Sequence, residues 1–171
     1  MNEKKEAYIR VAIAMAKAGE EDLLATKSHS GYFLRGIIDY SPEGKKANLK
    51  LNYAPQTYAY SIEASKLKYS PSAYKDRQNK SLMAEKLHAE HVIPNGIIFR
   101  RFVEMVREEY SDDELANFLR LNCEVVVITK LEQKILDGKD HCDLKDEMPQ
   151  GWSWGDSRFA RLDIAGIEIE K

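Results

Sequence analysis

Residues 123–138 read CEVVVITKLEQKILDG. The first part, Cys123–Thr129, is dominated by Val and Ile, and an apolar, β-branched run of this length reads as a buried strand. Thr129 then offers a side-chain oxygen to the first turn of a helix over Lys130–Leu136, and Gly138 stops that helix. A strand running straight through a threonine cap into a short helix sets the expected class, α+β.

Working back from this stretch, Ser111 followed by Glu114 forms a capping box for a helix over Asp112–Leu121. Before it, Ile97, Ile98, Phe102, Val103, Met105 and Val106 recur at helical spacing against Arg100, Arg101 and Arg107, which predicts an amphipathic helix over Ile97–Tyr110. Ser81–Ala89, with Leu82, Met83 and Leu87, reads as helix-like. His91-Val92-Ile93 reads as a short β-prone unit closed by Pro94. At the other end, Glu3 to Lys17 is rich in Ala, Lys and Glu and is followed by Gly19, so a helix is expected there, with a short further turn over Glu20–Thr26. Tyr32–Leu34 and Ile37–Tyr40, the turn chemistry of Ser41-Pro42-Glu43-Gly44, and the alternation Ala47–Tyr53 predict a β-hairpin over 31–53. Residues 54–80 read as irregular, with a short helix near Pro71–Gln78. The expected organisation is an N-terminal helix and hairpin region over 1–80 and a second region over 81–171, together one compact unit.

A chain of 171 residues with 43% hydrophobic and 32% charged side chains has a globular composition. No apolar run approaches the roughly 20 residues a membrane span needs. The start mixes acids into its first turn and interrupts its apolar part at Lys17, unlike a secretory leader. Two cysteines are too few for a disulfide framework, so a reducing, cytoplasmic setting is expected. Charge is unevenly spread. Residues 1–80 carry 14 Lys and Arg against 9 Asp and Glu, and the remainder 12 against 19. In the basic part, Lys45, Lys46, Lys66, Lys68, Lys75 and Arg77 are candidates for phosphate contacts. They lie among Tyr53, Tyr58, Tyr60, Tyr69 and Tyr74, which would stack on bases or else form the core and rim of a small sheet. His88, His91, Cys123, His141 and Cys142 lack the paired spacing of a zinc site. Arg158 and Arg161 flank Phe159, and either a phosphate contact or a salt bridge to Asp156 or Asp163 would suit them.

The stretch Ala89–Pro94, AEHVIP, carries the chemistry. An acid and a histidine are followed by two hydrophobics and a proline, and further on by a strand, a threonine cap and a helix. This resembles the ββα-metal site of HNH endonucleases. The tail is similar to segments that follow such sites: Gly151-Trp152, then Asp156 with Ala160-Arg161, then Ala165-Gly166-Ile167. The resemblance spans 84–167. It implies a metal-dependent DNA endonuclease in which His91 is the general base, Glu90 a metal ligand, Asn122 or Glu124 the residue that orients or assists the base, and Gln133 the helix residue completing the metal site. An imidazole with an ordinary pKa of about 6.5 suits the base role, and a divalent ion, Mg²⁺ with Mn²⁺ as the alternative, would neutralise charge at the leaving oxygen. Where the family carries a second histidine this chain has Gln133, a neutral and weaker ligand. DNA is therefore the expected partner, a membrane is not, and a homodimer is left open. The alternative is an HNH-like fold that has lost catalysis and binds nucleic acid or protein.

Overall fold

The computed structural model describes residues 3–21, 37, 58–68 and 86–170, with Lys68 described by its backbone alone. Among them are six helices and a three-stranded sheet, so the fold is α+β. The chain forms two compact units, each built from two separated segments: Met1–Lys46 with Ile93–Glu124, and Ala47–Val92 with Val125–Lys171.

The first unit is helical. Helix α1, Glu3–Lys17, buries Ile9, Ala12, Ile13 and Ala16, the i, i+3, i+4, i+7 stripe of an amphipathic helix. Glu3 and Glu6 in its first turn and Lys17 in its last complement the helix dipole, and Gly19, at φ +80°, takes the left-handed conformation just beyond. Helices that follow in chain order within this unit, here α3 (Asn95–Arg107) and α4 (Asp112–Asn122), pack on α1 and on each other. The Ser111–Glu114 capping box is formed in both directions. Arg120 clamps Glu6 through Nε at 2.9 Å and Nη2 at 2.7 Å, and Lys17 pairs with Asp112. Ile37, the one described residue of the predicted 31–53 hairpin, is helical and fully buried; the rest of that prediction lies outside the described residues.

The second unit holds the sheet. Strands β1 (Ala59–Tyr60), β2 (Leu87–His91) and β3 (Val125–Thr129) are ordered β1-β3-β2, with β3 in the centre. The central place explains the uninterrupted apolar sequence of β3, whose Val125 to Ile128 are all buried. Strand β2 runs antiparallel to it, with Glu90 opposite Val126 and His91 opposite Val125, while β1 runs parallel. Beyond β1 the tail adds an antiparallel bridge: Ile62 N donates to Glu168 O, and Glu170 N to Tyr60 O. One face of the sheet is covered by helix α2 (Ile62–Lys68), where Tyr60, Ala64, Leu87 and Val127 form a buried cluster. On the other face lies helix α5 (Lys130–Asp137), packed on β2 and β3. The short helix α6 spans Ala160–Ile164.

Strand β2 departs from the sequence expectation at both ends. Leu87–Ala89 is strand rather than helix, because its residues pair with Val127–Thr129 of β3, and of the β-prone unit expected over His91-Val92-Ile93 only His91 is in the strand, since the pairing ends at Val125. And 58–68, expected to be irregular, contains both β1 and α2, so Tyr60 is core and its ring is not available for stacking on a base. The short turn expected over Glu20–Thr26 is described only at Glu20 and Glu21, and the helix expected near 71–78 lies outside the described residues. Among the described residues no helix is long and apolar enough to cross a membrane.

Candidate functional site

Alternation along β2 sends His88 and Glu90 to one face of the sheet and Leu87, Ala89 and His91 to the other. The first face is the one α5 covers. Thr129 sets where α5 begins: its Oγ1 accepts from Glu132 N at 3.1 Å, and Glu132 Oε2 accepts from Thr129 N at 2.7 Å. The same Glu132 oxygen accepts from Ser61 Oγ at 2.8 Å, and Ser61 in turn caps α2 by accepting from Ala64 N. One carboxylate thereby fixes the starts of two helices, and with them the residues that α5 presents to β2.

Glu90 is 6% exposed and Arg161 is 0% exposed. Arg161 Nη2 reaches Glu90 Oε1 at 2.7 Å, and His88 Nε2 lies 3.2 Å from Glu90 Oε2. Burial works against the Glu90 charge, yet the hydrogen bond from His88 and the charge of Arg161 outweigh it, and the carboxyl is held below its ordinary value. The network continues outward. Lys130 Nζ is 3.2 Å from His88 Nδ1 and donates to Gln133 Oε1 at 2.9 Å, and Gln133 Nε2 donates to Asp137 Oδ2 at 3.1 Å.

Glu90, His91 and Gln133 thus belong to one ββα arrangement, two antiparallel strands and the helix that follows them. Glu90 and Gln133 face each other's element, but not across a gap: His88 and Lys130 stand in line between them. Both Glu90 oxygens are engaged, and the Gln133 oxygen already accepts from an ammonium. Arranged in this way, the residues do not fit a divalent ion shared by Glu90 and Gln133. Among the described residues no group of three or more His, Cys, Asp or Glu is placed to hold a metal. His91 is half-buried, at the end of β2 on the face opposite Glu90. Asn122 is the buried last residue of α4, its Nδ2 donating to Phe118 O at 2.8 Å, and Glu124 N donates to Asn122 O; both belong to the first unit.

Of the basic candidates, Lys66 is exposed on α2 and ion-paired with Glu63, and Lys68 ends that helix. Lys45, Lys46, Lys75 and Arg77 lie outside the described residues. Arg158 lies over the Phe159 ring, 5.0 Å from its centroid. Arg161 pairs with neither Asp156 nor Asp163 but with Glu90, 71 residues away in sequence. In the sequence His88 stands out only as a zinc candidate set aside for its spacing, and Lys130 does not stand out at all. Reading 81–89 as helix hid the period-two relation that puts His88 beside Glu90, and Lys130 looked like an ordinary solvated helix residue. Comparisons with protein families, with curated proteins and with solved structures returned no match.

Proposed function

We propose that this chain is an HNH-like ββα protein that binds nucleic acid without cutting it. The observation that carries this reading is the state of the acid: the Glu90 carboxylate is buried and held by Arg161 and His88, which suits a fixed structural anchor better than a ligand waiting for an ion. The excess of basic residues over 1–80 supplies the electrostatic attraction to phosphates. A second reading, a Mg²⁺- or Mn²⁺-dependent DNA endonuclease of HNH type with His91 as base, is favoured by the strand–strand–helix order and by the adjacency of Glu90 and His91. One set of assays separates the two. Salt-dependent binding of DNA in the presence of a chelator, with no nicking of plasmid DNA beyond a His91→Ala control when Mg²⁺ or Mn²⁺ is added, supports the binding module. Nicking that requires the metal and is lost in His91→Ala establishes the endonuclease. Absence of DNA and RNA binding at low salt sinks the nucleic-acid reading and leaves a protein partner as the ligand to seek.

A further inference from the structure

We propose that Lys130 is the resident cation of this ββα unit: its ammonium fills the place a metal ion would take on His88, with Glu90 as the carboxylate that orients the imidazole. The assignment follows from the donors and acceptors. A lysine ammonium has only donors to offer. His88 Nδ1, 3.2 Å from Lys130 Nζ, must therefore be the bare nitrogen, which puts the ring proton on Nε2, facing Glu90 Oε2 at 3.2 Å. A ring nitrogen turned to a cation while the other N–H is fastened to a carboxylate is how metal-bound histidines are held. The second acceptor obeys the same logic. Gln133 turns its oxygen to the ammonium at 2.9 Å, and its amide is fixed that way round because Nε2 donates to Asp137. Glu90 is itself locked by the buried Arg161.

The position of Lys130 points the same way. It is the first residue of α5, where the helix dipole disfavours a positive charge. A lysine there needs acceptors, and His88 and Gln133 supply them. Gln133 also gains an explanation: a neutral amide is a weak ligand for a soft divalent ion but a good acceptor for an ammonium. Lys130 holds this place whether or not the unit binds nucleic acid, and none of the measurements below involves nucleic acid.

Co²⁺ is a suitable probe, since an imidazole ligand shifts its visible absorption away from that of the hydrated ion. The native protein is compared with Lys130→Ala and with Lys130→Ala/His88→Ala. The expected result is a saturable Co²⁺ band and an upward shift of the unfolding temperature in Lys130→Ala, both absent from the native protein and both lost in the double variant. A Lys130→Ala protein that gains no binding over native overturns the proposal, as does a gain that survives loss of His88. A measurement on the native protein guards against a variant that does not fold. The ¹⁵N shifts of the His88 ring should show a bare Nδ1 and a protonated Nε2, and a proton on Nδ1 overturns the assignment.

Discussion

Arg161 is the most deeply buried charge described in the second unit, and only its Nη2 meets an acceptor; Nε and Nη1 have no hydrogen-bond partner among the described residues. Such a group adds little net stability, but its loss strands Glu90. Arg161→Met should therefore cost about 3–5 kcal/mol in denaturant unfolding, whereas Glu90→Leu/Arg161→Met should cost clearly less, since burying neither charge avoids the uncompensated one. A double variant as unstable as Arg161→Met alone contradicts this. The thiols offer a second residue-scale check. Burial pushes the Cys123 thiol up to about 12, although Lys5 acts in the opposite direction, while Cys142 is partly exposed. Since the thiolate is the reactive form, iodoacetamide at neutral pH should modify Cys142 in the folded protein and reach Cys123 only on unfolding. Peptide mass mapping reads the order directly.

Among the elements, α5 depends most on its start. Thr129→Ala removes one capping acceptor and should cost about 1 kcal/mol. Glu132→Ala should cost more, because the same carboxylate also holds Ser61 at the start of α2; thermal unfolding of the two variants gives the order. The end of α5 is equally specified. A Cβ at Gly138 would stand 2.6 Å from Lys134 O, so Gly138→Ala clashes with backbone that cannot move aside. In the first unit, Arg120 hydrogen-bonded to Glu6 joins α4 to α1 and holds the Glu6 carboxyl below its ordinary value, against the effect of burial. A carboxyl lowered by folding contributes stability that is present above its unfolded pKa of about 4.5 and is lost as pH falls through the folded value. Unfolding free energy measured from pH 6 downward should therefore fall less steeply in Glu6→Gln than in the native protein. Equal slopes would remove the pair from the acid response.

For the whole molecule, the chain passes from one unit to the other near 46, 92 and 124, so neither unit is one continuous piece. Cleavage between Val92 and Ile93 would divide both units at once. Fragments 1–92 and 93–171 should each lack native far-UV circular dichroism alone and regain it on mixing; a fragment that folds by itself would show that the units are not built as described. The sequence alone determined the elements whose cause is local. Composition and Gly19 gave α1, the spacing of apolar residues gave α3, the Ser111–Glu114 box and the Thr129 cap gave α4 and α5, and the apolar run gave β3, because composition, periodicity and caps act over a few residues. It also placed a β-prone unit, a strand and a helix in the right order, but centred the first on His91–Ile93, past the Leu87–His91 strand that holds Glu90. Only the tertiary structure decided that Leu87–Ala89 is strand, since pairing with β3 outweighs a helix-like local sequence. Likewise, it alone turned Arg161 onto Glu90 and Lys130 onto His88. Those contacts join residues 71 and 42 positions apart, and side-chain partners at such separations are chosen by burial and charge once the backbone has brought them together.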